Sequence, residues 1–318
     1  MRRWIKKYGF ETGYAIFLIV LTTVAVLDVF VIRHPYREGT AVTGVVTETP
    51  TEAITETAGE ASPEVVTEVT AERSPEAANE AVSATKGNGI ELSTSRYCDT
   101  TVYVADVWIE SPEMLMTAFA EDTYGRNIKA AVSEIAEDND ALFAINGDFY
   151  GARDRGYVIR NGEIYRTAGA GNEDLVIYKD GSFGIIQEDE ISAEELLQNG
   201  AMHVFSFGPA LLENGEITVS AGTEVGRAMA SNPRTAIGMI EPLHYVMVVS
   251  DGRTRESEGL SLQELAYFMQ GLGVRTAYNL DGGGSSTMVY EGEVVNKPTT
   301  GGNRIHERSV SDIVYIGK

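Results

Sequence analysis

A run of three glycines directly after an aspartate, Asp281-Gly282-Gly283-Gly284-Ser285-Ser286-Thr287, carries the strongest chemical signal in the chain. Consecutive glycines are entropically costly unless the backbone turns sharply or passes close to another group. Followed by two serines and a threonine, they offer adjacent N–H donors and hydroxyls, the donor set of an anion nest. The lysine of a G-x-x-x-x-G-K-[ST] loop is absent, so this is not a nucleotide-binding P-loop. Arg234, after Asn232-Pro233, opens an apolar run and supplies a guanidinium suited to bidentate contact with phosphate. Asp148, in Asn146-Gly147-Asp148, and Asp251, in Asp251-Gly252-Arg253, also follow apolar runs.

Phosphate oxygens would fall to Arg234, the amides of Gly282, Gly283 and Gly284, and Ser285 or Ser286. The carboxylates of Asp148, Asp251 and Asp281 would stand beside them if the apolar runs are strands that end at one edge.

The elements that must position these residues are readable in outline. Tyr245 to Ser250 forms a strand ending at Asp251, and Arg275 to Leu280 a second ending at Asp281. Between them Ser261 and Glu264 form a capping box, opening a helix to about Gly271 with Leu262, Leu265, Ala266 and Met269 on one face. Strand, helix, strand at this spacing predicts a parallel crossover pair with both carboxyl ends on one edge, where open sheets bind ligands. The buried strand Ala141 to Asn146 is expected at the same edge, bringing Asp148, Asp251 and Asp281 together.

Elsewhere, Thr101 to Glu110 and Ser309 to Ile316 read as strands, and Ile128 to Glu137 as a helix. Ser192 with Glu195 caps another helix. Asn161-Gly162, Asp180-Gly181, Asn214-Gly215 and Glu291-Gly292 mark hairpin turns. The expected fold class is α/β in the mixed α+β sense: mixed β-sheets with packed helices and several hairpins, in a domain spanning 90–318.

Two segments precede it. Residues 1–38 read as a cytoplasmic stub and signal anchor. Arg2, Arg3, Lys6 and Lys7 flank an apolar span, Tyr14 to Ile32, whose only polar residues are Thr22, Thr23 and Asp28. As a helix it reaches about 28 Å, enough for a bilayer core, with the positive flank inside and the domain outside the cytoplasm. Cleavage after Thr23-Val24-Ala25 would leave an apolar new terminus, so a retained anchor in the membrane is the better reading. Residues 39–89 read as a disordered Thr/Glu/Ala/Pro linker, with glutamate at every fourth position from Glu48 to Glu80 and breaks at Pro50, Pro63 and Pro75.

The chain carries a net charge of −22, and the 90–318 domain, with 17 basic and 35 acidic residues, carries −18 of it. That balance excludes nucleic acid as a partner. With Cys98 as the single cysteine, there is no internal disulfide and no cysteine-based zinc site. The four histidines, at 34, 203, 244 and 306, show no helical ligand spacing, and no G-x-S-x-G elbow exists. Glu137-Asp138-Asn139-Asp140 lacks the EF-hand glycine and terminal glutamate and reads as a solvated loop, so no metal site is assigned. No cofactor is expected to be required, and a divalent cation has no support in the sequence. His203 and His244 read as structural histidines at strand starts, and Cys98 as a buried or bystander thiol.

Ala144-Ile-Asn-Gly-Asp-Phe-Tyr-Gly151, Asn232-Pro-Arg-Thr-Ala-Ile-Gly238, Asp251-Gly-Arg253, Asn279-Leu-Asp-Gly-Gly-Gly-Ser-Ser-Thr-Met288 and Arg308-Ser-Val-Ser-Asp312 occur in that order. The ordered set resembles the phosphodiester glycosidase family over roughly Tyr97 to Lys318. The resemblance implies a mixed α/β domain that hydrolyses the bond between a sugar C1, such as that of N-acetylglucosamine, and phosphate. That reaction needs charge neutralisation on the departing phosphate and a carboxylate for the cationic carbon or the attacking water. The resemblance therefore implies Asp281 and Asp148 as base, nucleophile or cation stabiliser, and Asp251 and Arg253 as binders of sugar hydroxyls or braces. It adds Asn146, Thr235 and Arg308 to the substrate-binding set. The anchor, linker and lack of disulfides resemble Gram-positive members, whose partner would be a phosphosugar-containing polymer or glycan. A membrane-tethered carbohydrate-binding module and a phosphosugar transferase are the alternative functions.

Overall fold

The structure, a computed structural model, describes residues 17–24, 27–28, 32–35, 86–87, 89–225, 231–301 and 304–318. Positions 17–24 and 27–28 of the expected membrane span are helical, and among the described residues no helix is long and apolar enough to cross a membrane. The rest of that span apart from Ile32, and the expected linker apart from Lys86, Gly87 and Gly89, lie outside the described residues.

Three larger sheets build the domain. An eight-stranded sheet runs in the order Glu216–Ile217, Ala210–Glu213, Thr276–Asn279, Arg234–Glu241, His244–Ser250, Thr100–Trp108, Ile90–Tyr97, Lys86–Gly87. A five-stranded sheet has the order Glu293–Val294, Met288–Tyr290, Ala141–Asn146, Asp312–Gly317, Leu115–Phe119. Another has Phe183–Gln187, Glu173–Tyr178, Ala201–Phe205, Val158–Arg160, Glu163–Arg166.

The largest sheet is buried on both faces, and period-two alternation explains how. Tyr245, Met247 and Val249 point into a core shared with Phe143, Ile145, Leu175, Phe205 and Val314 of the smaller sheets. Val246 and Val248 point the other way, onto Leu262, Leu265, Ala266 and Met269. Those four lie on one face of helix Leu262–Gly271, opened by the complete Ser261–Glu264 capping box. Each large apolar side chain removed from water there contributes about 1.5–3 kcal/mol, so the helix is held mainly by packing. Helices Val132–Asp138 and Ala193–Gln198 cover the outer faces of the two smaller sheets.

The crossover differs from the sequence expectation. Strands His244–Ser250 and Thr276–Asn279 run in the same direction but are not neighbours. Arg234–Glu241 lies between them, antiparallel to both, with Arg234 opposite Ser250 and Ala236 opposite Asn279. The strand before the crossover closes a short hairpin with His244–Ser250, and that local pairing takes the slot at lower entropic cost. The shared edge survives: the ends at Asp251 and Asp281 flank the start of the central strand, where Arg234 sits.

Ala141–Asn146 belongs to the neighbouring five-stranded sheet, not to this one, so its edge meets the first across a sheet boundary. The helix expected from Ile128 begins at Val132, because Ala130 pairs with Val310 as an isolated bridge. The closing strand starts at Asp312, three residues later than expected. All four hairpin turns form, with positive φ at both central residues of Asn161-Gly162, Asn214-Gly215 and Glu291-Gly292. Cys98 is exposed in the tight turn joining Ile90–Tyr97 to Thr100–Trp108, and His203 lies inside a strand.

Candidate active site

The glycine loop is a single 3-10 turn, Gly283–Ser285, at the edge where Asp251, Arg234 and Asp281 converge. Its glycines answer to close packing. Gly283 has φ +63, and a Cβ there would sit 2.7 Å from Nη2 of Arg253; one on Gly284 would sit 2.8 Å from Oγ1 of Thr300. The Gly283 amide donates to Pro233 O (2.8 Å), so it is committed to the fold and not to the expected anion nest.

Asp281 is the chemical centre. It is 9% exposed, and its Oδ2 accepts from Ser285 Oγ (2.6 Å) and Arg308 Nη2 (2.9 Å). Arg308 Nε also donates to Ser285 Oγ (2.9 Å), tying the loop to the final segment of the chain. Burial pushes the Asp281 carboxyl above the ordinary carboxylate range, against the opposing pull of Arg308 and Ser285.

Two further arginines stand nearby. Arg234, 3% exposed, donates from Nε to Leu260 O (2.8 Å) and from Nη2 to Glu224 (2.7 Å). Arg253 occupies a left-handed conformation (φ 61), rare for a long side chain, and its guanidinium is held by Asn232 Oδ1 (2.9 Å) beside Gly283. Burial, then Arg308 and Arg234, holds Arg253 below the ordinary guanidinium value, so the three cations share one field.

The remaining expected residues divide into struts and a separate cluster. Asn146 is fully used: Nδ2 donates to Asp281 O (2.7 Å), while Oδ1 accepts from Thr235 Oγ1 (2.8 Å) and Thr287 N (3.2 Å). It joins the two sheets at the site, and Thr235 serves it from a fully buried position. Asp251 accepts from Lys297 N (2.8 Å) and Tyr103 OH (3.2 Å), so it braces the loop behind the site; burial raises its carboxyl. Ser286 is buried, and its hydroxyl finds no partner among the described residues.

Asp148 follows Gly147, whose carbonyl accepts from Asp281 N (3.3 Å), but its carboxylate is engaged by other partners. Its carboxylate accepts from Tyr150 N (2.9 Å) and Ser206 N (3.1 Å) and lies 3.0 Å from Arg160 Nη2. Arg160 also holds Asp312 (2.8 Å), and all three side chains are essentially buried. The strand end aims Asp148 inward because a buried guanidinium is there to receive it.

Sequence reasoning missed Arg160, Glu224 and a buried acid pair, Asp174 with Glu188. None lies in a motif, and only folding gives them partners. Asp174 lies against Glu188, and burial and then Glu188 push it up to about 9. Glu188, pushed up by burial, is drawn down further by N–H donors from Asn172, Ala170 and Tyr157. The folded protein therefore keeps a proton on Asp174 that the unfolded chain releases near pH 4. Stability from this group is full below that value and falls as pH rises towards 9. Asp174→Asn, which carries no charge at any pH, should melt above the parent at pH 8, with the gap closing towards pH 4. A gap independent of pH in thermal melts would contradict the raised Asp174 carboxyl.

Among the described residues no group of three or more His, Cys, Asp or Glu is placed to hold a metal ion. Glu137 to Asp140 forms the end of helix Val132–Asp138, where Asn139 Nδ2 caps Ile135 O (2.8 Å).

Residues 139–317, from the helix end through the Asp281 loop to the last strand, match the profile of the family described as Phosphodiester glycosidase. The chain belongs to the phosphodiester glycosidase family. Among curated relatives it is 29% identical over 201 residues to the SPbeta prophage-derived uncharacterized protein YomE of Bacillus subtilis, covering 61% of this chain and 30% of that protein. It is 30% identical over 189 residues to the N-acetylglucosamine-1-phosphodiester alpha-N-acetylglucosaminidase of Bos taurus, covering 54% of this chain and 35% of the relative. The chain thus spans about a third of the length of the curated relatives it matches. The phosphodiester glycosidase fold recurs in the catalytic domain of the zebrafish N-acetylglucosamine-1-phosphodiester alpha-N-acetylglucosaminidase, auto-inhibited by its pro-peptide. That match has a TM-score of 0.57 at 23% identity and covers 72% of this chain and 82% of that one. A hypothetical protein from Synechocystis matches with a TM-score of 0.56 at 16% identity, covering 72% and 62% of the two chains.

Proposed function

We propose that this chain hydrolyses the bond between a sugar C1 and the oxygen of a phosphodiester, on an N-acetylglucosamine-type sugar carried by a glycan or exported polymer. The observation that carries this reading is the Asp281 carboxyl, raised by burial and held by Ser285 and Arg308, with Arg234 and Arg253 against the glycines that follow it. The arginines neutralise the phosphate; Asp281 takes a proton from water as it attacks C1. The C1–O bond breaks with its electron pair on the phosphate oxygen, giving free sugar and a phosphomonoester. A raised carboxyl pKa suits a base working nearer neutrality. Glu224 is seated on Arg234 (2.7 Å), a contact for which the phosphate would compete.

The purified chain supplied with N-acetylglucosamine α-phosphodiesters should release sugar and phosphomonoester in equal amounts. No release across several sugars, with phosphosugar binding intact, would replace the hydrolase with a carbohydrate-binding module.

A further inference from the structure

Arg308 reaches the Asp281 carboxylate from a stretch of chain that does little to hold it. On one side His306 N donates to Pro298 O (2.8 Å), and on the other Ala130 and Val310 exchange backbone hydrogen bonds (3.1 and 2.8 Å). Between these anchors, Glu307, Arg308 and Ser309 make no backbone–backbone hydrogen bond among the described residues. A long, partly exposed side chain on such a bow has many rotamers open to it, and its backbone alone does not choose one.

Glu307 supplies a hold. Its Oε1 accepts from Ser133 N (3.2 Å) and its Oε2 from Ser133 Oγ (2.6 Å), in the first turn of helix Val132–Asp138. That helix is itself firmly seated: Val132, Ile135 and Ala136 are buried in a core with Val289, Val310 and Ile313. Consecutive side chains thus grip different neighbours. Glu307 takes the helix, while Arg308 takes the glycine loop, with Nη2 on Asp281 Oδ2 (2.9 Å) and Nε on Ser285 Oγ (2.9 Å). Glu307 makes no hydrogen bond to Asp281 or Ser285, so any effect it has on the reaction passes through Arg308.

We propose that Glu307 is a positioning residue, whose two-oxygen hold on Ser133 sets Arg308 against Asp281 and Ser285 before substrate arrives. This rests on the hydrolase reading above. A displacement of about 1 Å in a positioning contact can slow a reaction by about 10²-fold, so a latch remote from the reacting atoms still governs rate.

Stability alone does not separate this role from a fold strut, because Ser133 N is a first-turn donor that Glu307 also satisfies. The test uses the full chain as parent with Glu307→Ala, Glu307→Gln, Arg308→Ala and the Glu307→Ala/Arg308→Ala double variant. Glutamine keeps the latch: its carbonyl accepts from Ser133 N, and its amide donates to a Ser133 hydroxyl turned to accept. On a sugar phosphodiester, Glu307→Ala should lower kcat by about 30-fold with KM within about three-fold, and Glu307→Gln should stay within about three-fold of the parent in both. With Arg308→Ala already present, Glu307→Ala should change kcat by less than about two-fold, because nothing remains to be positioned. Labelling of Arg308 by phenylglyoxal, located by mass spectrometry, needs no turnover; it should quicken at least about three-fold in Glu307→Ala and not in Glu307→Gln. A parent that turns nothing over would overturn the hydrolase reading, and the labelling rates would still decide the latch. Equal kcat losses from Glu307→Ala with and without Arg308, or labelling that does not change, would overturn the positioning role.

Discussion

Asp281→Asn should lower turnover of a sugar phosphodiester by at least about 10³-fold while leaving the protein as stable as the parent, or more stable, at pH 7–8. The two halves of this result have one cause. Burial raises the Asp281 carboxyl above its ordinary value, so the folded state disfavours the ionised form that catalysis uses. For a carboxyl raised on folding, the linkage sign is fixed. The folded state binds a proton that the unfolded state has lost, and stability falls as pH climbs through the interval between the two pKa values. Asparagine removes that loss. Its Oδ1 still accepts from Ser285, and only the ionic part of the Arg308 contact goes, from a side chain that is 41% exposed. Activity in the parent should follow the mirror image, rising with pH through a value above the ordinary carboxylate range. Melting curves at pH 5 and pH 8, with initial rates across the same span, separate the outcomes. A variant that keeps a tenth of parental turnover would remove Asp281 as the base, and a large drop in melting temperature at pH 8 would contradict the sign of its shift.

The parts of this site legible in the sequence are those where local chemistry decides. Three glycines after Asp281 required close packing, and they have it, from Arg253 and the Thr299–Thr300 segment. Ser261 and Glu264 predicted a helix start to the residue, because a capping box is complete within four positions. What could not be read depends on contacts between segments far apart in sequence. Nothing local shows that Arg234–Glu241 intervenes between the two strands of the crossover, since a hairpin and a crossover compete for one row of hydrogen bonds. Asp148 and Asp281 share the same signature, a carboxylate after an apolar run. Their environments diverge because Arg160, from another sheet, meets one of them, whereas Arg308 and Ser285 meet the other.

The buried Arg160 cluster yields the second large effect, and with it the division of labour between the two aspartates. Arg160 is 1% exposed and holds Asp312 through Nε (3.0 Å) and Nη2 (2.8 Å), with Asp148 3.0 Å away. It also donates to Val204 O and stacks over Phe205, 4.2 Å from its centre. Asp312 is fully buried; burial raises its carboxyl, Arg160 lowers it, and Asp148 raises it again. Arg160→Met keeps the apolar contact with Phe205 but leaves two carboxyls buried without their cation. Breaking a buried pair from one side costs about 3–5 kcal/mol, much of it from the charge left behind. Denaturant unfolding at pH 7 should show a loss of that size. Adding Asp148→Asn and Asp312→Asn should recover about half or more of it, because the penalty lies in stranded charge. Asp148→Asn alone then distinguishes frame from catalyst. The frame role predicts lower stability with kcat within about ten-fold of the parent, since its bonds run to Tyr150, Ser206 and Arg160. A kcat reduced by about 10³-fold with an unchanged melting temperature would return Asp148 to the reacting centre and make it, with Asp281, half of a carboxylate pair.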